Sequence, residues 1–228
     1  MKNNTSTRPK RSRLRLLSYV LLIGAVLGVL FTVFMFWFWV YARPVYPLAA
    51  ERKGADGVYT LAAPLPTAMT ESSGAFCNGK YYQVGGIGPV AQTFNTLFAY
   101  DPQTDSWSKE PDLPFQISHT GVIGHDKDLY IIAGVGPLGL RLRWFMVAEW
   151  RPLDQVLIYN TETKTFRYGT PMPGRRGAGG ICKTDDGFIW YVGGIAEDLE
   201  VNASLFRYSI EDDSWSTMPE MPTARDHL

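Results

Sequence analysis

Residues 188–222 read FIWYVGGIAEDLEVNASLFRYSIEDDSWSTMPEMP, and the order of parts in this stretch decides the fold. An apolar run closes on Val192-Gly193-Gly194. Tyr208 follows, an aromatic ring comes seven residues later at Trp215, and a proline seven beyond that at Pro222. The same order stands upstream as Val84-Gly85-Gly86, Tyr100, Trp107 and Pro114, and as Ala133-Gly134, Tyr159, Phe166 and Pro173. Tyr59 and Pro66 supply the tail of an earlier copy, again seven apart. Proline to the second glycine measures 20, 20 and 21 residues. A period of about 50 residues built from short strands predicts sheets set radially around a hub.

One interval departs from the frame. Second glycine to aromatic is 21, then 32, then 21, so the middle copy carries an 11-residue insertion near Leu138 to Pro152. The frame resembles the kelch repeat, whose marks are the glycine pair and the tyrosine and tryptophan after it. The resemblance runs from Gly57 to Leu228. It departs at Phe166, where tryptophan is usual, and at the single Gly134. It implies an all-β fold: a partial kelch-type β-propeller of about three four-stranded blades plus a closing strand, Gly57 to Ala62.

Turn chemistry agrees with four antiparallel strands per copy. Asn78-Gly79 and Asp186-Gly187 read as tight hairpins, since such turns need positive φ, and Asp126-Lys127 is a weaker version. Asp101-Pro102-Gln103-Thr104 and Asn160-Thr161-Glu162-Thr163 read as turns between third and fourth strands. Glycine pairs let backbones approach closely, and the aromatics are expected to fill the seams between blades.

Ahead of the repeats lies a segment of another kind. Lys2, Arg8, Lys10, Arg11, Arg13 and Arg15 precede an uncharged apolar run from Leu16 to Ala42, with Trp37, Trp39 and Tyr41 at its far end. Such a run exceeds the length needed to cross a hydrocarbon core of about 30 Å. A cleaved signal peptide would have a shorter apolar region and a better cleavage site than Leu48-Ala49-Ala50, so a signal-anchor is expected. The organisation read this way is a basic cytoplasmic tail (1–15), a transmembrane helix (16–42), a linker (43–56) and a propeller (57–228). Basic residues before the run outnumber Arg43, Arg52 and Lys53 after it, which predicts a cytoplasmic N-terminus and an exported propeller. Asn202-Ala203-Ser204 is then a possible glycosylation sequon on the exported side.

Composition excludes several function classes. Lysine plus arginine and aspartate plus glutamate both number 22, so no nucleic-acid partner is expected. Cys77 and Cys182 fall in different copies and read as apolar fillers, not as a disulfide. His119, His125 and His227 are scattered, no metal-ligand spacing is visible, and neither metal nor cofactor is expected. The tyrosine and histidine cluster of copper oxidases that share this propeller has no counterpart.

Kelch domains commonly bind partners on the face bearing the inter-blade loops and the loops between second and third strands. The resemblance places the candidate binding residues there. The insertion supplies Arg141, Arg143, Trp144, Phe145 and Trp150, a composition typical of interface hot spots. Its other reading is a loop folded back on its own blade. Arg176 and Arg225 each stand three residues after a proline, with Arg175 and His119 on the same rim. These arginines either recognise carboxylates or brace neighbouring loops.

Two functions follow as expectations. One is a membrane-tethered module binding a protein or glycan. The other resembles the periplasmic kelch sialic-acid mutarotases, for which Arg175, Arg176 and Glu197 are the available groups. Pro222 to Leu228 reads as the entry to another inner strand, so the frame predicts a longer reading frame, or self-association, to close the ring.

Overall fold

The computed structural model describes residues 10–41, 51–54, 57–89, 92–137, 139–143, 145–149, 151–197 and 200–228. The chain divides into two compact units, Met1–Ala50 and Glu51–Leu228. Among the described residues, the first contains the helix α1 (Lys10–Tyr41). Within it Arg15–Trp37 has a mean hydropathy of 2.6 and is long and apolar enough to cross a membrane. The helix starts inside the stretch expected to be a tail, because Lys and Arg are good helix formers and nothing there breaks the hydrogen-bond ladder.

The second unit is all β. It opens on a hairpin, β1 (Glu51–Gly54) with β2 (Gly57–Thr60), in which Arg52 pairs with Tyr59. The expected closing strand around Tyr59 thus finds its partner immediately upstream, inside the stretch expected to be a linker. Three blades follow. The first is β3 (Ser73–Cys77), β4 (Lys80–Val84), β5 (Leu97–Asp101) and β6 (Ser106–Lys109). The second takes β7 (Gly121–His125) and β8 (Asp128–Ile132), then a separate two-stranded hairpin, β9 (Gly139–Arg143) with β10 (Phe145–Glu149). It is completed by β11 (Val156–Asn160) and β12 (Thr165–Gly169). The third is β13 (Gly180–Lys183), β14 (Phe188–Val192), β15 (Leu205–Ser209) and β16 (Ser214–Met218). Each blade is an antiparallel meander with strands in chain order.

The insertion is therefore a strand pair and not an irregular loop. Its Leu140-Arg141-Leu142-Arg143 alternation has the period of a strand, and the register sets Arg143 opposite Phe145 and Arg141 opposite Val147. One turn also differs from expectation. Asn78 and Gly79 form the two-residue hairpin, both with positive φ. Asp186-Gly187 belongs instead to a four-residue connection between Lys183 and Phe188, closed by the Thr184 N–H bonded to the Phe188 carbonyl.

The core lies between blades. Along β8 and β11, alternate residues face opposite neighbours. Leu129, Ile131, Leu157 and Tyr159 pack with Tyr82, Val84 and Leu97 of the first blade. Tyr130, Ile132, Val156 and Ile158 pack with Ile189, Tyr191 and Phe206 of the third. A sheet covered on both faces needs apolar side chains at every position, which accounts for the unbroken runs Leu129–Ile132 and Val156–Tyr159. On the far side of the third blade, Ile181, Cys182, Trp190, Val192 and Leu205 line an apolar groove of about 400 Å³.

Candidate functional site

The repeat frame builds one loop-bearing face. Ile87, Val135 and Ile195 each follow the second glycine position. Each bridges two other segments: Thr70 and Thr93, Ser118 and Pro152, Gly177 and Val201. The loops entering first strands and the loops leaving second strands are tied together in this way. The N–H of each second glycine reaches the next entry loop. Gly86 donates to Ile117 O (2.8 Å), Gly134 to Arg176 O (2.8 Å) and Gly194 to Arg225 O (2.9 Å). At Gly86, φ is +112° and a Cβ would meet Ser72 Cβ at 2.8 Å, so any other residue is strained and crowded.

Five residues after each proline, the chain turns through a left-handed residue: Glu71, His119, Ala178 and His227, with φ between 49° and 55°. Their backbones form a relay across the blades. The His119 N–H donates to Glu71 O (3.0 Å), Ala178 to His119 O (2.9 Å) and His227 to Ala178 O (2.7 Å). β7 lies beside both β3 and β13, so this relay runs along the hub. It brings side chains from distant parts of the sequence together. His119 Nε2 is 3.2 Å from Glu71 Oε2, and the His119 and His227 rings meet edge to face at 5.4 Å. His119 Nδ1 lies 3.0 Å from Ser118 Oγ. Burial lowers the His119 pKa against the opposing pull of the Glu71 carboxylate.

The expected site residues do not form one cluster. His119 is buried at the hub, where a neighbouring carboxylate and a second imidazole had not been foreseen. The scattered histidines looked unrelated because in this fold proximity follows the repeat frame and not local spacing. The common offset from each proline is the signal that reveals them. Arg175 and Arg176 brace loops. Arg175 pairs with Glu197 and lies 3.5 Å from Asp154, linking the second and third blades. Arg176 Nε donates to Ser204 Oγ (3.3 Å), and its guanidinium lies over Phe206 at 5.9 Å. The Arg225 backbone accepts from Gly194, while its side chain is exposed. Arg141, Arg143 and Phe145 occupy β9 and β10, and Trp144 and Trp150 lie outside the described residues.

Comparison with known proteins agrees with this geometry. The model of the Kelch motif matches residues 69–114. The chain is 26% identical over 177 residues to Kelch-like protein terF of Aspergillus terreus, covering 74% of this chain and 37% of that protein. It is 24% identical over 167 residues to Kelch-like protein 40 of Xenopus tropicalis, covering 72% and 25% respectively. The solved structure of YjhT superposes with a TM-score of 0.63 at 19% identity, over 75% of this chain and 58% of that one. Frame, blades and relatives define a kelch-type β-propeller module. By motif, blades and relatives the chain is similar to kelch-repeat proteins. The match spans 25–37% of the length of the curated relatives named above.

Proposed function

We propose that this protein is a membrane-tethered kelch module that binds a protein partner through its loop face, with the β9–β10 hairpin as the main contact element. Kelch repeats generally mediate protein interactions, which favours binding over catalysis. The observation that carries the reading is the hairpin itself. It forms its own two-stranded sheet, inserted between β8 and β11, where the other two blades cross with short connections. The register sets Arg143 opposite Phe145 and Arg141 opposite Val147, and this composition of cation, ring and aliphatic residues suits a protein surface. α1 supplies the tether, and the excess of basic residues before its apolar run, which starts at Leu16, favours a cytoplasmic N-terminus with the kelch module on the other side.

Site-specific photocrosslinking of the full chain in its native membrane tests this reading. A photoreactive residue at Phe145 is expected to give one discrete protein adduct, abolished by Arg141→Glu/Arg143→Glu. The same probe at exposed Tyr168, on an outer strand, is expected to give none. Equal labelling from both positions, or no adduct from Phe145, would overturn the hairpin as the contact element. Release of the chain by alkaline carbonate would overturn the tether.

A further inference from the structure

We propose that Glu71, His119 and His227 form a divalent-metal site at the hub of the blades, taking a borderline ion of the zinc class through one carboxylate and two imidazoles. The ligand atoms of all three residues lie within 4.8 Å of one another. Ligands about 2.0–2.1 Å from a tetrahedral ion sit roughly 3.3 Å apart, and Glu71 Oε2 and His119 Nε2 are already separated by 3.2 Å. His227 offers a ring nitrogen within 4.8 Å of both as the third ligand. Its side chain is half exposed and its ring stands edge-on to His119.

A second observation points the same way. A ligating imidazole ordinarily holds its other ring nitrogen in a hydrogen bond that fixes tautomer and orientation. His119 Nδ1 lies 3.0 Å from Ser118 Oγ, and both residues are buried. With an ion on Nε2, the ring proton resides on Nδ1 and the Ser118 hydroxyl accepts it. The backbone relay then explains why the geometry is built in. Glu71, His119, Ala178 and His227 occupy the same position in successive repeats, and the ladder of N–H to carbonyl bonds ties their backbones together. Ala178 stands at the one intervening position, so no fourth side chain crowds the site from there.

Two imidazoles and one carboxylate select borderline ions such as Zn²⁺ or Co²⁺ over Ca²⁺ or Mg²⁺, which prefer all-oxygen shells. Three protein ligands leave a fourth position for water or for a donor from a partner, so the ion has an exchangeable face. The assignment is independent of the hairpin reading, because none of its ligands lies in β9 or β10.

Cobalt titration of the purified full chain in detergent tests it. Co²⁺ is expected to give visible absorption of a low-coordinate site at one equivalent, and Zn²⁺ is expected to bleach it. His227→Ala and Glu71→Gln each weaken binding by about 10-fold or more, whereas His125→Ala leaves it unchanged. His119→Asn, which tolerates positive φ, abolishes the band while the variant still unfolds cooperatively. Failure of Co²⁺ to bind, or binding by the His227→Ala and Glu71→Gln variants as tight as by the unaltered chain, would overturn the site.

Discussion

The Tyr159 hydroxyl donates to the carboxylate of Glu110 at 2.7 Å, across the seam between the second and first blades. In the other two blades the matching tyrosine uses an aspartate of its own turn: Tyr100 bonds Asp105 at 2.6 Å, and Tyr208 bonds Asp213. Those aspartates also accept a backbone N–H from the segment before, Ala63 and Thr170 respectively (both 2.7 Å). The equivalent residue at the remaining seam is Pro111, which has no N–H to offer. Lys164 replaces the aspartate there and pairs with Glu110, and Phe166 replaces the indole that elsewhere donates to the Ala63 or Thr170 carbonyl. Four sequence departures thus form one alternative clamp.

This clamp gives a directional prediction. Glu110 is buried, so Glu110→Ala leaves the Tyr159 hydroxyl without its acceptor and is expected to cost about 1–3 kcal/mol in chemical denaturation. The third blade shows the remedy. A Cβ on Gly169, the counterpart of Glu110, would come within 2.9 Å of Asp213 Oδ1, so a glycine there makes room for the aspartate. The combined variant Glu110→Gly/Pro111→Thr/Lys164→Asp is expected to recover most of the loss. Lys164→Asp alone brings a second carboxylate against Glu110 and is expected to be worse than either. Additive losses in the combined variant would refute the equivalence.

Acid stability follows from the other two clamps. The Ala63 N–H, then the Tyr100 hydroxyl, hold the Asp105 carboxyl below its ordinary value. For Asp213 burial works upward, but hydrogen bonds from Tyr208 and Thr170 prevail and its value is also lowered. The unfolded chain therefore takes up protons near pH ~4, where the folded carboxylates stay ionised. Their contribution is present above that point and is lost as the pH falls through the folded values. Melting temperature is expected to drop on acidification below about pH 4, with a shallower drop in Asp105→Asn/Asp213→Asn. An unchanged slope in that variant would remove the clamps as its cause.

Much of this architecture was legible in the chain because propeller contacts recur with the repeat. The intervals anchored on Pro114, Pro173 and Pro222 gave the blades and their strands to within a few residues. The strand around Tyr59 was legible from its place in the frame, whereas its pairing with Glu51–Gly54 was not, because Glu51–Gly54 precedes the repeats. The arginine rim was legible as a location and ambiguous in role, since only coordinates show Arg176 against Ser204 and Phe206. The hub was missed for another reason. Glutamate, histidine, alanine and histidine stand at one repeat position (Glu71, His119, Ala178, His227), and counting histidines alone hides the match.

A glycine position tests how tightly the seams are set. Gly85 has φ +56°, and a Cβ there would meet Ile117 O at 2.1 Å. Its counterpart in the second blade is Ala133, also at φ 56°. There the carbonyl is held by Gln155 Nε2 (3.2 Å) and Thr120 Oγ1 (3.1 Å). Gly85→Ala adds a backbone clash to the left-handed penalty and is expected to cost more than about 2 kcal/mol. Ala133→Gly relieves that penalty while loosening the unfolded chain, so its effect is expected to stay within about 1 kcal/mol of zero. Thermal melts of the two variants check both. Equal losses would mean that the two seams are packed alike.

The two thiols should differ sharply in reactivity, which makes them reporters of seam opening. Cys77 is buried in the first seam, its Sγ 3.6 Å from the Asp126 carbonyl, and burial pushes its pKa up to about 11. Cys182 is exposed on the third blade. Thiolate is the reactive form, so neutral iodoacetamide is expected to alkylate Cys182 first, with Cys77 slower by more than about 100-fold. Denaturant should erase the difference. Glu110→Ala loosens the same seam and should raise the Cys77 rate selectively, since local opening exposes what a seam protects. Peptide mapping after timed alkylation reads both rates in one sample. Rapid native labelling of Cys77 would show that the first two blades are not held together as the clamp requires.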